Sequence, residues 1–233
     1  MEQMKALLVN GSPDMVRGMH VTILNNFEEG LKEAGTEVTR IDVYEQNIQP
    51  CTSCFSCWTH TPGRCSQEDD MRTILPLVAQ SDILALATPV YVDGMTGPMK
   101  TFLDRLIPLL KGRVELREGH TRHLVRDGVK MGKLVLLSAC GFPELDNFDP
   151  LVSHVKAASR NLGREYAGEI LFPSGFYLKR SNAMEDVKGM VRSAGVELVE
   201  TGRIPGGLST KMQGLVSRDE VIDVLNAHYG KFE

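Results

Sequence analysis

Five short apolar segments that alternate with helical patterns constrain the fold of this chain more than any other feature. The predicted strands are residues 5–9, 38–43, 82–88, 133–138 and 166–172. The third segment is apolar almost throughout, which is typical of a strand that is covered on both faces. Strands that alternate with helices form βαβ units, and right-handed crossovers place helices on both faces of one parallel sheet. The sequence therefore predicts a three-layer α/β/α fold with a five-stranded parallel sheet in a single domain.

Capping residues place several of the helices between these strands. Residues 66–69 combine a serine with acidic residues and predict a helix start, and Pro98 suits the first position of the next helix. Ser217 and Glu220 have the spacing of a capping box at the start of the last helix. Residues 201–213 are rich in glycine, and we expect them to be irregular.

Residues 111–132 interrupt the alternation of strands and helices. The segment is charged, contains His120 and His123, and lacks clear periodicity. Because neither a strand nor a helix of the main pattern fits it, we interpret it as an insertion in the domain, with a hairpin as its candidate structure.

The composition argues against several classes of function. Apolar residues make up 42% of the chain and charged residues 24%, which is ordinary for a soluble globular protein. The net charge of −4 gives no sign of nucleic-acid binding. No apolar run reaches the roughly 18 residues of a membrane span, and the N-terminus lacks the pattern of a signal peptide. We therefore expect a cytoplasmic protein without membrane or nucleic-acid partners, in which the thiols stay reduced.

Four of the five cysteines lie close together in the loop after the second predicted strand. Two residues separate Cys51 from Cys54 and Cys54 from Cys57, and Cys65 follows after seven more. Thiolates at two-residue spacing can turn onto one centre, so four of them can complete a [4Fe–4S] cluster. A tetrahedral zinc ion would also accept four cysteines, and unligated thiols or a disulfide are further alternatives. Because ligands bind outside the carboxyl ends of parallel strands, we expect this loop at the ligand edge of the sheet.

Several short motifs occur in the order and spacing of one known superfamily. They are residues 11–13 (Gly-Ser-Pro), 69–71 (Asp-Asp-Met), 89–91 (Pro-Val-Tyr) and 100–105 (Lys-Thr-Phe-Leu-Asp-Arg). Together they resemble the flavodoxin-like NAD(P)H-dependent FMN reductase superfamily, and the cysteine spacing is similar to that of its iron-sulfur flavoprotein family. The resemblance is densest over residues 4–110. It implies a flavodoxin-like fold that binds FMN and a [4Fe–4S] cluster.

The resemblance assigns residues to both cofactors. The cofactor-binding residues that it implies are Ser12, Pro13, Arg17, His20, Thr22, Pro89, Val90, Tyr91, Gly94, Cys140 and Gly141. The metal ligands that it implies are Cys51, Cys54, Cys57 and Cys65. We expect the glycine-serine turn to offer backbone N–H groups to the phosphate, and residues 89–97 to line the isoalloxazine ring, with Tyr91 on or beside it. Cys140 is interpreted as a small buried apolar residue rather than a nucleophile.

One position departs from the pattern of the superfamily. Its phosphate loop usually carries a basic residue after Ser-Pro, and this chain has Asp14 there. Since a carboxylate beside a phosphate is unfavourable, we expect Asp14 to point away from the anion. Arg17, His20 and the backbone amides of the helix start would then hold the phosphate.

The remaining chemical groups receive structural interpretations. Asp69 and Asp70 are interpreted as charges at a helix start rather than as an acid–base pair. Trp58, between the third and fourth cysteines, either shields the metal site or packs between subunits. No nucleophile elbow or triad pattern occurs in the sequence, so no residue is predicted as catalytic.

Three functions are compatible with these patterns. The resemblance favours a flavin-dependent oxidoreductase that transfers electrons between a [4Fe–4S] cluster and FMN, with ferredoxin or NAD(P)H as donor and a small molecule as acceptor. The first alternative is an NAD(P)H-dependent FMN or quinone reductase without a metal cluster, and the second is a non-enzymatic metal- or flavin-binding regulatory module. The resemblance also implies a homodimer or homotetramer, with Trp58 and residues 111–132 as its candidate contacts.

Overall fold

A parallel five-stranded sheet forms the centre of the structure, a computed structural model that describes residues 3–14, 19–179 and 181–232. The strands are β1 (Lys5–Asn10), β2 (Glu37–Asp42), β3 (Ile83–Pro89), β4 (Leu110–Arg117), β5 (His120–Val125), β6 (Lys133–Ala139) and β7 (Glu165–Phe172). The sheet has the order β2-β1-β3-β6-β7, and every neighbouring pair is parallel. The predicted α/β fold is confirmed. In this flavodoxin order the switch point between β1 and β3 opens a crevice at the carboxyl ends of the strands.

Helices cover both faces of the sheet. They are α1 (Met19–Glu33), α2 (Met71–Gln80), α3 (Gly97–Asp104), α4 (Asp149–Asn161), α5 (Gly175–Leu178), α6 (Met184–Thr201), α7 (Leu208–Gln213) and α8 (Arg218–Tyr229). Alternate residues of β1 point into two separate cores. Leu8 belongs to the core under α1 and α6, whereas Leu7 belongs to the core under α2, α3 and α4. Among the described helices, none combines the length and apolar character that crossing a membrane requires.

The segment 111–132 contains an antiparallel hairpin formed by β4 and β5. These two strands pair with each other and form a sheet separate from the main one. Glu118 and Gly119 make the turn with φ values of 52° and 76°, the left-handed conformation that two-residue hairpin loops require. The hairpin therefore leaves the order of the main sheet unchanged and is free to pack elsewhere on the domain.

The second helix begins later than its sequence pattern predicts. α2 starts at Met71 and not within residues 66–69. The Ser66 hydroxyl lies 3.3 Å from the sulfur of Cys54, and the Asp69 carboxylate accepts a hydrogen bond from the backbone N–H of Gln49 at 3.0 Å. The predicted helix start is wrong because these polar side chains bind the cysteine loop and the residues that lead into it.

Near the C-terminus one prediction holds in part, since residues 202–207 are irregular, and another is wrong. α7 lies within the glycine-rich segment that was expected to be irregular, because Leu208 and Met212, one helical turn apart, are both buried. The capping box at α8 does not form, since Ser217 makes no side-chain cap hydrogen bond. Its intended partner, Glu220, instead accepts a hydrogen bond from the Tyr177 hydroxyl at 2.8 Å.

Candidate functional site

A cavity of about 470 Å³ opens at the carboxyl ends of the central strands, and we call it the edge cavity. This volume is within the usual range of small-molecule and cofactor sites. Most of the predicted cofactor-binding residues line it: Ser12, Pro13, His20, Pro89, Val90, Tyr91, Cys140 and Gly141. The loops after β1, β3 and β6 therefore meet at one place, as parallel-strand topology requires.

Three predicted residues are not found in the lining of the edge cavity. Arg17 lies outside the described residues. Thr22 lies in α1, where its carbonyl accepts a hydrogen bond from Asn26. Gly94 exchanges two backbone hydrogen bonds with Tyr91, at 2.9 and 3.2 Å, and so closes the tight turn that holds Tyr91 53% exposed at the cavity. Gly94 thus shapes the loop without facing the cavity.

The glycine-serine turn after β1 is held by the interior of the protein. The Gly11 N–H donates to the carbonyl of Ala87 at 2.7 Å, and the Ser12 N–H donates to the side chain of Asn10 at 3.1 Å. A Cβ on Gly11 would lie 2.8 Å from the Met99 side chain, so only glycine fits there without a shift. These two amides are engaged within the protein, so an anion would have to use other donors.

Asp14 lines the edge cavity, although the sequence predicts that it points away. A carboxylate at this position repels a phosphate, and among the described lining residues Lys179 supplies a cation in the same cavity. Lys179 follows α5 and lies beyond the motifs of the resemblance. Asp14 and Lys179 are therefore charged residues of this cavity that the prediction of the phosphate site did not include.

His20 is a neutral group in this cavity. Burial lowers its pKa from 6.5 to about 4, even though a hydrogen bond to the backbone of Thr88 and the nearby charge of Asp14 act in the opposite direction. Its Nε2 atom is buried and has no hydrogen-bond partner. His20 can therefore meet a ligand as a polar imidazole but not as a cation near pH 7.

An aromatic cluster from the C-terminal part of the chain completes the edge cavity. Phe176 and Tyr229 line the cavity, and their ring centroids are 6.1 Å apart. His228 packs against both rings, at 5.0 Å from Phe176 and 4.7 Å from Tyr229. No sequence motif marks these residues, since they come from α5 and α8, which follow the part of the chain that carries the resemblance.

Cys140 has the surroundings of an inert thiol. Its Sγ donates to the carbonyl of Phe142 at 3.1 Å. Burial raises the pKa of the Cys140 thiol, so the nucleophilic thiolate is disfavoured. Cys140 is only partly buried and lines the edge cavity, so it is not the fully buried residue that the sequence predicts, although its raised pKa disfavours a nucleophilic role.

The four clustered cysteines line a second cavity, the cysteine cavity. Its cysteines are Cys51, Cys54, Cys57 and Cys65. Ser53 and Phe55 have left-handed backbone conformations, with φ of 53° and 52°. Single left-handed residues make the chain turn sharply, and such turns leave backbone N–H groups on a concave face. The loop is therefore folded tightly around the space that its thiols surround.

The thiols in this cavity differ in their electrostatic environment. Hydrogen bonds, first from the Ser66 hydroxyl and then from Ser56, lower the pKa of the exposed Cys54 to about 6. Burial raises the pKa of Cys57, and the sulfurs of Cys65 and Cys54 raise it further. The neighbouring sulfurs therefore oppose ionisation of Cys57, while hydrogen bonds favour ionisation of Cys54.

A buried ion pair holds the wall of the cysteine cavity. Arg105 and Asp69, each 1% exposed at the side chain, form two hydrogen bonds of 2.5 and 2.9 Å. Burial alone would raise the pKa of Asp69, but the bonds from Arg105 and Gln49 outweigh it and lower the pKa. Arg105 also donates to the sulfur of Cys65 at 3.4 Å. Asp69 is therefore a buried partner of Arg105, and its carboxylate also accepts a hydrogen bond from the backbone N–H of Met71 at the start of α2, at 3.1 Å.

The hairpin braces the other side of the cysteine loop. The Trp58 ring lies 5.1 Å from Phe55 and 4.5 Å from His123 of β5, measured between ring centroids. Arg126, just after β5, donates to the carbonyls of Cys57 and Pro108, both at 2.8 Å. Trp58 and the 111–132 segment thus contact each other within one chain.

The two cavities share no lining residue in the part of the chain that the structure describes. The cysteine loop leaves the ligand edge after β2 and packs against the end of α3 and the hairpin. α3 connects the two sites: Thr96 at its start donates to the carbonyl of Gly11 at 2.7 Å, and Arg105 at its end lines the cysteine cavity. The four cysteines, predicted at the ligand edge, therefore line a cavity of their own and not the edge cavity.

The sheet order and the cavity at the β1–β3 switch point define a flavodoxin-like α/β protein with a cofactor-sized site at the edge of its sheet. The model of the NADPH-dependent FMN reductase family matches residues 4–119. Over this segment the chain is similar to that family, and its similar curated proteins include iron-sulfur flavoproteins.

Two such relatives come from Archaeoglobus fulgidus. One iron-sulfur flavoprotein is 35% identical over 141 residues, which cover 60% of this chain and 58% of the relative. Another is 30% identical over 129 residues, which cover 55% of this chain and 62% of the relative. The chain thus spans about three fifths of the length of the curated relatives it matches.

A solved structure extends the likeness over more of the fold. The FMN-dependent NADH-azoreductase of Bacillus anthracis, in complex with FMN, superposes with a TM-score of 0.63 at 16% identity. The match covers 84% of this chain and 100% of that protein. The likeness shows a shared fold that includes the strands and helices beyond residue 119.

Proposed function

We propose that the protein is a flavin-dependent oxidoreductase that binds FMN in the edge cavity, binds a [4Fe–4S] cluster in the cysteine cavity, and transfers electrons between them. The family match supports the flavin and the oxidoreductase class. The names of the relatives support the cluster. The observation that carries the proposal is the convergence of all four clustered cysteines on one cavity.

The names of the relatives favour a cluster over a single metal ion in this cavity. Among the described residues, no group of three or more His, Cys, Asp or Glu side chains is arranged to hold a metal ion. A tetrahedral zinc ion with Zn–S bonds of about 2.3 Å needs its sulfurs within about 4 Å of each other. In a cluster each thiolate binds a different iron atom, so the sulfurs surround a wider space.

The protein's own residues would stabilise the thiolate ligands. The Arg105 guanidinium lies 3.4 Å from the Cys65 sulfur, and the Ser66 hydroxyl lies 3.3 Å from the Cys54 sulfur. Both contacts favour the negative charge that metal coordination requires. When bound, the cluster supplies single-electron transfer and the flavin supplies one- or two-electron transfer. Trp58 and the hairpin cover one side of the loop, while Cys54 stays exposed.

In the edge cavity, the chain would bind and orient the flavin. Lys179 supplies a cation for the phosphate, while Asp14 opposes it. The exposed Tyr91 and the aromatic cluster of Phe176 and Tyr229 offer flat apolar surfaces to a ring system. These side chains fit the size and mixed polarity of FMN.

The electron donor, acceptor and assembly are part of the same proposal. The family description supports NADPH as donor, and ferredoxin is the donor that a one-electron cluster would suit. A small molecule is the proposed acceptor. We also propose a homodimer or homotetramer in the cytoplasm, since an exposed cluster site requires a reducing environment.

The central test is purification without oxygen, followed by a visible spectrum and assays of flavin, iron, sulfide and zinc. Flavin bands with a shoulder near ~400 nm and about four iron atoms per chain are the expected result. Flavin without iron, despite anaerobic handling, would favour the metal-free NAD(P)H-dependent reductase. Zinc without iron would overturn the electron-transfer role of the cysteine cavity, and a protein without turnover would be a regulatory module.

A matched pair of cysteine variants locates the metal. Cys54→Ser should lose most of its iron and keep its flavin, because Cys54 lines the cysteine cavity. Cys140→Ser should keep its iron, because Cys140 lines the edge cavity instead. Equal iron contents in the two variants would contradict the assignment.

A further inference from the structure

A third cavity, the arginine cavity, lies beside the cysteine cavity and shares Cys65 and Pro108 with it. Its volume is about 480 Å³, within the range of small-molecule sites. Its floor is apolar and includes Leu75 and Ala79 of α2, together with Leu109 and Val129. Such a floor can bury the hydrocarbon part of a ligand.

Three arginines line the rim of this cavity: Arg64, Arg72 and Arg126. Arg72 forms an exposed ion pair with Glu68 at 2.7 Å, so a ligand anion would compete with that carboxylate. Asp127 is the carboxylate in the described lining, and its charge is balanced by Lys111 at 2.9 Å. Guanidinium groups bind carboxylates and other planar anions through paired hydrogen bonds. The cavity therefore combines an apolar floor with a cationic rim.

One of the three arginines is held in place before any ligand binds. Arg126 donates from Nε to the carbonyl of Pro108 and from Nη2 to the carbonyl of Cys57. Its guanidinium packs on Gly63, where a Cβ would meet it at 3.3 Å. Binding to a fixed group costs little side-chain entropy, so Arg126 is suited to fix the position of an anionic group.

We propose that the arginine cavity is a binding site for a small organic anion with an apolar body, such as an aromatic carboxylate. The carboxylate would lie at the arginine rim and the apolar body on the floor between α2 and the hairpin. Cys65 and Pro108 line both this cavity and the cysteine cavity, so the ligand would lie beside a residue of the cysteine motif. The inference concerns binding and holds whether or not the cysteines carry a cluster.

The test compares two probes of the same shape and different charge. Isothermal titration calorimetry would measure binding of 2-naphthoate and of the neutral 2-naphthamide to the anaerobically purified, flavin-containing protein. We expect naphthoate to bind one site per chain about tenfold more tightly than naphthamide. Its affinity should fall as the salt concentration rises, because salt screens charges that are partly exposed. Equal affinity of the two probes would overturn the proposal.

Variants assign the binding to this cavity. Arg64→Gln and Arg72→Gln should each weaken naphthoate binding about fivefold, since each removes one partly exposed charge from the rim. Arg113→Gln removes an exposed arginine of the hairpin that does not line the cavity, and it should leave the affinity unchanged. A double Arg64→Gln, Arg72→Gln variant that keeps wild-type affinity would show that naphthoate binds elsewhere and would overturn the site.

A steric variant tests the apolar floor independently of charge. Ala79→Phe places a ring in the cavity and should weaken naphthoate binding at least about tenfold while all three arginines remain. Far-ultraviolet circular dichroism and flavin content would show whether this variant is folded. A folded Ala79→Phe protein with unchanged affinity would contradict the proposal.

Discussion

The edge cavity and the cysteine cavity are built in opposite ways. The edge cavity takes its lining from the loops after β1, β3 and β6 and from α5 and α8, so it exists only when the whole sheet is assembled. The four cysteines come from one short loop, residues 51–65, which two distant parts of the chain hold in place. The edge cavity therefore depends on the topology of the sheet. The cysteine cavity depends on a local sequence motif and on the contacts that Arg105 and Arg126 make with it.

The largest expected effect comes from breaking the buried ion pair between Arg105 and Asp69 in the wall of the cysteine cavity. Arg105→Met leaves the Asp69 carboxylate buried without its partner, and the free energy of unfolding should fall by about 3–5 kcal/mol. Urea denaturation at pH 7 measures this change. Lys100→Met is the control, because it breaks an exposed pair with Asp104 and should cost about 0.5 kcal/mol. Similar losses in the two variants would mean that the buried pair does not clamp the loop.

The second prediction concerns pH and the edge cavity. The folded-state pKa of His20, about 4, lies below its ordinary value of 6.5, so the unfolded chain binds the proton more tightly. Stability is therefore greatest above about pH 6.5 and falls as the pH drops towards 4, by about 2–3 kcal/mol between pH 7 and pH 4.5. His20→Asn removes this term and should lose less stability over that interval. The midpoints of urea denaturation at pH 7 and pH 4.5 would be measured for the wild type and for His20→Asn. Equal losses of stability in the two proteins would refute the assignment to His20.

The third prediction tests the close packing behind the phosphate turn. Gly11→Ala brings a Cβ to 2.8 Å from the Met99 side chain and should cost about 1–3 kcal/mol, with weaker flavin binding. Gly97→Ala is the matched control, since a Cβ there meets no atom within 4 Å. Urea denaturation and flavin titration would measure both variants. Equal behaviour of the two would show that the turn adjusts freely.

The smallest expected effect concerns Arg126, which connects the hairpin to the cysteine loop. Arg126→Gln removes the hydrogen bonds to the carbonyls of Cys57 and Pro108 and should lower the stability by about 1 kcal/mol. It should also make the cysteine thiols react faster with a thiol reagent in the metal-free protein. Arg113→Gln, on the same hairpin, is the control. A stability change without any change in thiol reactivity would mean that the brace does not reach the loop.

Much of the fold could be predicted because its signals are local. The strands of a sheet that is covered on both faces are short apolar runs, and all five of these runs form strands. The start of α2 and the existence of α7 could not be read in the same way. Ser66 and Asp69 bind the cysteine loop, and Leu208 and Met212 become buried only through tertiary packing.

Each site also has features that the sequence predicts and features that it does not. The spacing of the cysteines is visible in the sequence, but the ion pair that holds their loop joins residues 36 positions apart and leaves no periodic signal. The loops of the edge cavity could be placed from strand order, whereas Phe176, Lys179 and Tyr229 come from segments without a recognisable motif. Asp14 was expected to point away from the anion because a carboxylate repels a phosphate, yet it lines the cavity that also contains Lys179.

The clamps around the cysteine loop limit how this site can be moved between proteins. A peptide of residues 50–70 would carry all four thiols and the left-handed Ser53 and Phe55, yet it would lack Arg105 and Arg126. Grafting the loop into another scaffold would therefore require two arginines at matching positions on the recipient's own helix and hairpin. The loop and the two arginines must therefore be inherited together. Recombination that separates the loop from Arg105 and Arg126 would leave the cysteine motif without a formed cavity.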